Sequence, residues 1–167
     1  MALIPEDGSI VTDADTYAEA TDLAAYAALR GITITAVEAE QEALLVKAMD
    51  YLARYRGQWK GNRVSDAQAL DWPRSGVYVD NRLLPSDEIP RELFYAQISL
   101  AVAAESATLL PTAAAGEKGA IIEETVSGAV TLKYANPGRV LPVAADAYAD
   151  ALIAVLLKYS GLQVIRA

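Results

Sequence analysis

Residues 35–55, TAVEAEQEALLVKAMDYLARY, contain the clearest helix signal in the chain. Thr35 and Glu38 have the spacing of a capping box, in which the hydroxyl accepts the amide of the third helical residue and the carboxylate reaches back. Apolar residues then recur at helical spacing, as expected for one buried face. These are Val37, Leu44, Leu45, Ala48, Leu52 and Tyr55. The stretch therefore predicts an amphipathic helix whose apolar face packs in the core of a mainly helical fold.

Signals on both sides of this helix predict three more helices and one β-hairpin. Gly31 fits the position after a helix C-terminus, Pro90 suits a first helical residue and Pro111 ends a helix. Strand-forming runs on either side of Ser127-Gly128 indicate the hairpin. The expected helices are Ala20–Leu29, Pro90–Leu110 and Val143–Tyr159, and the expected strands are Ile121–Val126 and Ala129–Tyr134. The predicted fold class is mainly α: a small bundle of about four helices with one hairpin, a long ordered loop and extended termini.

The length of 167 residues suits a single domain with a real core. Its long segment 57–89 is punctuated by Gly and Pro and carries Trp59, Trp72 and Tyr78. A structureless loop of this length is unusual inside a compact domain, so we expect the aromatic side chains to hold it down. The predicted parts are an extended arm 1–16, a helical core 17–111 containing the loop 57–89, a hairpin insertion 112–142, and a C-terminal helix and tail 143–167.

The absence of Cys and His restricts the chemistry that the chain can perform. Thiol nucleophiles, disulfides and cysteine-based zinc sites are excluded, and the commonest general base is missing. The sequence contains no phosphate-binding loop and no nucleophile elbow. Asp146 and Asp150 share a helix face, but no further ligands lie near them in sequence for calcium. We therefore expect no enzymatic activity, no cofactor and no metal, and no segment is long enough to span a membrane.

Acidic residues are concentrated in the N-terminal third. The chain has a net charge of −8, and residues 1–50 alone hold ten acidic and two basic residues. An acidic protein repels nucleic acid unless a local basic patch outweighs the field.

The one strongly basic stretch is residues 54–63, RYRGQWKGNR, with four basic residues, two aromatic residues and no acidic residue. Basic residues with interleaved aromatics suit single-stranded nucleic acid, through phosphate contacts and base stacking. A helix C-terminus also attracts Arg and Lys, and the aromatics can cover the edge of a core. Arg54, Arg56, Trp59, Lys60 and Arg63 are thus candidates for a DNA contact, a protein interface or a structural role.

Two further stretches have candidate roles. Trp72 and Pro73 are predicted to anchor the long loop onto the bundle, and Arg74 to pair with Asp71 or Asp87 or to face a neighbouring subunit. The apolar tail, with Leu162, Val164 and Ile165, is either a docking surface for a partner or packed on its own domain.

Several phrases of the sequence resemble a family of tailed-phage and prophage proteins. They are an aromatic–helix segment from Tyr17 to Gly31, an Ala-x-x-Tyr-Leu phrase within Lys47–Leu52, a Trp-Lys-Gly-x-Arg phrase at Trp59–Arg63, and an Ala-Leu-x-Trp-Pro-Arg-x-Gly-Val phrase at Ala69–Val77. The Trp-Pro-Arg phrase is the most specific of these. The chain is similar to head–tail connector adaptor proteins, some of which are labelled DnaT-like single-stranded-DNA-binding proteins.

The resemblance implies a structural adaptor that forms a ring of twelve copies under the portal, around the DNA channel. Its partners would be the portal protein and a tail or stopper protein. Its location would be the virion neck, after assembly in the host cytoplasm. The second label implies a single-stranded-DNA-binding protein that uses segment 54–63.

Overall fold

The computed structural model describes residues 3–109, 121–125, 131–134 and 146–158. The chain forms two compact units, one of residues 1–109 with 145–167 and one of residues 110–144. In chain order the elements are α1 (Ala20–Leu29), α2 (Glu38–Ala53), β1 (Asn62–Arg63), β2 (Arg74–Ser75), β3 (Tyr78–Val79), β4 (Arg82–Leu83), α3 (Arg91–Ser106), β5 (Ile121–Thr125), β6 (Thr131–Tyr134) and α4 (Ala147–Ala154). The mainly helical fold class is confirmed.

Helix α3 is the centre of the first unit, because α1, α2 and α4 all pack against it. Its sequence explains this position: among the described helices it has the longest stretch without a charged residue, Leu93–Ala104, and its small Ala residues let neighbouring helices approach closely. The buried residues of α3 are Leu93, Ala96, Gln97, Ile98, Ser99, Leu100, Ala101 and Ala104. The apolar ones among them pack with Leu23 of α1, Leu45 of α2 and Ile153 of α4 in one core.

The predicted capping box at the start of α2 is wrong. The helix begins at Glu38 with Val37 at the N-cap position, and Val37 is exposed although the sequence places it on the apolar stripe. The hydroxyl of Thr35 accepts the amide of Val37 at 3.3 Å and donates to Glu40. Gln41 Nε2 donates to the carbonyl of Thr35 at 2.7 Å. Thr35 therefore orders the turn before the helix. A capping box requires the threonine at the N-cap position, which Val37 occupies, two residues after Thr35.

The long segment 57–89 is ordered by two very short hairpins. β1 pairs antiparallel with β2, and β3 pairs antiparallel with β4. Gly61, at the first hairpin, has a φ of +64°, and a Cβ there would lie 2.2 Å from the carbonyl oxygen of Ser75. Only glycine allows this close approach of two backbones.

The N-terminal segment differs from the extended arm expected for residues 1–16. It folds back on itself: Glu6 donates its amide to Thr16 O at 2.8 Å, and Asp15 donates its amide to Ile4 O at 2.8 Å. The carboxylate of Glu6, which is 1% exposed, accepts the amides of Gly8, Ile10 and Val11 at 2.9–3.0 Å. A buried carboxylate that accepts three backbone amides holds a loop firmly, because each bond is charge-assisted.

A buried glutamine attaches this folded N-terminal segment to the bundle. Gln97 of α3 accepts the amide of Tyr17 at 2.9 Å and donates to the hydroxyl of Thr16 at 2.6 Å. Its side chain is fully buried. The segment before α1 is therefore part of the core unit.

The C-terminal helix is shorter than the predicted Val143–Tyr159. In the structure α4 spans Ala147–Ala154, and Asp146 caps it by accepting the amide of Tyr148 at 2.9 Å. Helical spacing in the sequence predicts one buried face containing Tyr148, Leu152, Val155 and Leu156. Leu156 is buried as predicted, but Tyr148 and Val155 are exposed, and Ala149 and Ile153 are buried in their place. The apolar face of the helix is thus rotated from the predicted one.

The second unit contains the predicted hairpin. β5 and β6 pair antiparallel, with Thr125 opposite Thr131. The turn at Ser127-Gly128 and the tail residues Leu162, Val164 and Ile165 lie outside the described residues. Within the described ranges, no helix has the length and apolar character needed to cross a membrane.

Candidate nucleic-acid interface

Four aromatic rings run in contact from the end of α2 into the long loop. Tyr51 meets Tyr55 at 6.1 Å between ring centroids, Tyr55 meets Trp59 at 5.8 Å, and Trp59 meets Trp72 edge to face at 5.9 Å. Trp59 and Trp72 are each 1% exposed. The loop is therefore held down by its two tryptophans, as the sequence predicts, but the prediction is wrong for Tyr78, which is exposed. Neither indole presents a free face for a nucleobase.

The segment around Trp59 also fastens the C-terminal helix. Trp59 and Leu157 form an antiparallel bridge, and Lys158 donates its amide to Gln58 O at 2.7 Å. Lys60 donates its amide to Leu156 O at 2.9 Å and its ammonium to Val155 O at 2.7 Å. A cation at a helix C-terminus satisfies free carbonyls and complements the helix dipole. Lys60 therefore caps α4, which uses N–H donors that a phosphate would otherwise accept from.

Arg74 is a buried cation that holds the two halves of the loop together. Its guanidinium donates to Lys60 O at 2.7 Å, to Gly61 O at 2.8 Å and to Asp71 O at 3.2 Å. The side chain is 7% exposed. Desolvation on burial lowers the pKa of Arg74 from its ordinary value, and the nearby Asp71 opposes this shift. The predicted partner Asp71 thus contributes a carbonyl hydrogen bond, and Arg74 is not available to a neighbouring subunit.

Arg63 and Gln68 order the other side of the same loop. Arg63 donates to the carbonyl of Gln68 and, at 3.5 Å, to that of Leu70. The buried amide of Gln68 accepts from Val64 at 2.9 Å and Ser65 at 3.1 Å, and donates to Leu70 O at 2.9 Å and Pro73 O at 3.1 Å. Four hydrogen bonds satisfy the whole side-chain amide of Gln68.

Arg54 and Arg56 are the two basic residues of segment 54–63 that remain exposed. The guanidinium carbon of Arg54 lies 4.6 Å from the ring centroid of Tyr51 and 5.3 Å from that of Tyr55. Arg56 lies 3.5 Å from a carboxylate oxygen of Asp71, with 71% of its side chain exposed. An ion pair so exposed contributes little free energy, so the Arg56 charge stays accessible to an external anion.

The carboxylate of Asp150, on α4, forms hydrogen bonds with two tyrosines of this aromatic row. Asp150 Oδ1 accepts the hydroxyls of Tyr51 and Tyr55, each at 3.0 Å. Desolvation by burial raises the pKa of both phenols, and the Asp150 charge raises them further. The two tyrosines therefore stay neutral donors at physiological pH and hold α2 against α4.

The other acidic candidate of the sequence has a structural partner as well. Asp146, at the start of α4, accepts the hydroxyl of Ser99. Across the described ranges, no three acidic residues come together in a group that could hold a metal ion.

The structure thus divides the predicted site residues by role. Trp59, Trp72, Lys60, Arg63 and Arg74 are used to build the loop, and Pro73 follows Trp72 through a cis peptide bond. Arg54 and Arg56 alone combine a positive charge with an open position. Glu6 and Gln68 were missed by sequence reasoning, because a single polar residue in a loop has no periodic pattern that marks it as buried.

The comparisons with known proteins agree with one of the two functional labels that the sequence suggests. A search of the curated proteins found no match, and a search of the solved structures found none either. A family model matches residues 1–167, the entire chain. The chain belongs to the family described as "Putative DnaT-like ssDNA binding protein".

Proposed function

We propose that this protein binds single-stranded DNA. The observation that carries the proposal is the match of that family's model to the entire chain. The geometry adds a place where a strand could bind, since Arg54 and Arg56 present guanidinium groups at the end of α2. Trp59, which is buried, and Lys60 and Arg63, which donate to backbone carbonyls, then hold the loop that carries those two arginines.

The charge distribution sets the strength of this interaction. The chain carries a net charge of −8, so most of its surface repels phosphate. Two accessible arginines provide few phosphate contacts, unlike the continuous basic groove of a high-affinity single-strand binder. We therefore expect modest affinity and a strong dependence on ionic strength.

The salt dependence gives a quantitative test. For single strands, the slope of log K against log salt changes by about −0.7 for each phosphate that is neutralised. Arg54→Gln with Arg56→Gln should therefore make the slope shallower by about 1.4. Fluorescence anisotropy with a labelled oligothymidine, titrated at several salt concentrations, measures this difference. Arg82→Gln, an exposed arginine of β4, is the matched control and should leave the slope unchanged.

Two results would count against the role of these arginines. If the double variant binds with the wild-type slope, then Arg54 and Arg56 do not contact phosphate. If Lys60→Gln or Arg63→Gln reduces the slope without lowering the melting temperature, those residues bind DNA and are not committed to the loop.

A head–tail connector is the second candidate. The observation that favours it is the acidity of the first 50 residues, which hold ten acidic and two basic residues. A ring around a channel must let DNA slide, and an acidic or neutral lining avoids tight phosphate binding. In a head-to-tail ring, the acidic surface of one subunit could meet Arg54 and Arg56 of the next.

Negative-stain imaging of the purified protein, alone and with a portal protein, tests this second candidate. Rings that disappear on Arg54→Glu with Arg56→Glu, without measurable affinity of the wild type for oligothymidine, would replace the DNA-binding proposal by the connector. A monodisperse monomer that binds oligothymidine would exclude the ring.

A further inference from the structure

A second basic–aromatic surface lies away from segment 54–63, between the end of α1, the start of α3 and the start of α4. It is a groove of about 290 Å³, lined by Arg30, Arg91, Glu92, Tyr95, Tyr148 and Leu152. We call it the arginine–tyrosine groove. Its volume is at the lower end of the range for ligand pockets, about 300 Å³, which suits one nucleobase.

Two arginines and two tyrosines form a continuous row beside this groove; Arg30, Tyr95 and Arg91 line it, and Tyr26 is buried behind them. The guanidinium carbon of Arg30 lies 3.5 Å from the ring centroid of Tyr26, and that of Arg91 lies 5.1 Å from the ring of Tyr95. The rings of Tyr26 and Tyr95 are 6.0 Å apart. Because each guanidinium packs against a tyrosine ring and the two rings contact each other, both positive charges are held beside the same groove.

No acidic residue in the part of the chain that the structure describes forms an ion pair with Arg30 or Arg91. Both side chains are exposed. Arg30 makes one long hydrogen bond, of 3.5 Å, to the carbonyl of Tyr26. Among the described residues that line the groove, Glu92 is the one acidic residue, so two arginines against one glutamate give these residues a net charge of +1 in a strongly acidic protein.

Tyr148 supplies an aromatic surface that is open to solvent. It is 50% exposed, although it sits on an α4 face that the sequence predicts to be buried. An exposed tyrosine beside two free guanidiniums is the combination that binds single strands, through base stacking and phosphate contact.

We infer that the arginine–tyrosine groove is where a base of single-stranded DNA stacks, on Tyr148, with its phosphate held by Arg30 and Arg91. This inference rests on the proposed function and gives it a location. Arg54 and Arg56 would then contact the backbone of the same strand, and the groove would hold the base.

Three variants test the groove by anisotropy with a labelled oligothymidine. Tyr148→Ala should weaken binding about tenfold, as the loss of one base–aromatic stack does. Arg30→Gln with Arg91→Gln should make the salt slope shallower by about 1.4. Glu92→Gln should strengthen binding, because it removes the one negative charge from the groove; a purely structural role of the groove does not predict a gain.

The control removes an exposed tyrosine ring and an exposed guanidinium from another part of the surface. Tyr78 is 58% exposed and Arg82 is also exposed, on the hairpin of β3 and β4. The double variant Tyr78→Ala with Arg82→Gln should bind like the wild type. Tyr148→Trp adds a readout that does not depend on truncation, since the new indole should be quenched when a base stacks on it.

The outcomes separate the groove from the proposed function. Suppose that the wild type and the groove variants bind oligothymidine with equal affinity, and that the indole fluorescence of the Tyr148→Trp variant stays constant on binding. The groove then does not bind a base, and the DNA-binding function stands. If the wild type does not bind at low salt, the proposed function fails and the groove fails with it. If the control variant, Tyr78→Ala with Arg82→Gln, weakens binding as much as the groove variants do, the inference that the base binds in the groove is also wrong.

Discussion

Trp72→Ala should lower the free energy of unfolding by about 3–5 kcal/mol, the range for a large aromatic removed from a core. Trp72 is 1% exposed and packs edge to face on Trp59, which itself holds the bridge to Leu157. Its removal should therefore loosen the long loop and the end of α4 together. Chemical denaturation, read out by circular dichroism, measures the change, and the melting temperature should fall by about 10 °C.

Trp72→Phe is the matched control for this prediction. The indole Nε1 of Trp72 has no hydrogen-bond partner within the described residues, so a phenyl ring loses volume but no hydrogen bond. Its expected cost is about 1–2 kcal/mol, well below that of alanine. Equal stability of Trp72→Ala and the wild type would show that the loop is held by something other than this aromatic row.

Arg74→Met should destabilise the protein by about 3 kcal/mol, because three carbonyl groups lose a charged donor at once. The carbonyls of Lys60, Gly61 and Asp71 all accept from this guanidinium, at 2.7–3.2 Å. Methionine fills a similar volume, so the loss is one of hydrogen bonds more than of packing. Urea denaturation of the purified variant measures it.

Arg74→Lys separates charge from geometry at the same position. A lysine keeps the positive charge but cannot present the fork of donors that reaches three carbonyls. We expect it to recover less than half of the lost stability. Full recovery by lysine would show that the charge alone holds the loop, and unchanged stability of Arg74→Met would show that these hydrogen bonds contribute nothing.

The helices could be predicted because their signals are periodic and local. Gly31 and the spacing of Leu23, Tyr26 and Ala27 predict α1 with the bounds that the structure has, Ala20–Leu29. The apolar stripe of α2 likewise contains residues that are buried, including Leu44, Leu45 and Leu52. Such patterns survive in three dimensions because a helix buries one face, whatever lies against it.

The face of α4 and the interior of the loop could not be predicted in the same way. An eight-residue helix rich in Ala has apolar residues on every side, so packing against α3 decides that Ile153 is buried and Tyr148 is exposed. In the loop, Arg74 and Arg63 look like surface charges, and only the backbone carbonyls that converge on them explain why Arg74 is buried and Arg63 is half-buried. Such convergence depends on residues that are distant in sequence and follows no period.

The candidate site could be predicted only in its chemistry. The sequence identifies basic residues with interleaved aromatics as the groups that suit a single strand, and of the four basic residues of segment 54–63 the structure leaves Arg54 and Arg56 exposed. The arginine–tyrosine groove combines Arg30, Arg91 and Tyr148, which lie on three different helices or helix ends. No local motif connects these residues, so the linear order of the chain does not bring them together.

The central claim, that the protein binds single strands through base stacking, is tested most directly by a competition titration with the purified wild-type protein. A labelled oligothymidine is bound at low salt and displaced either by unlabelled single strand or by duplex DNA of the same length. We predict that the single strand displaces the label at least about tenfold more effectively, because an exposed base can stack on an aromatic ring and a paired base cannot. Equal displacement by the duplex, or no binding of the labelled strand at all, would contradict this claim.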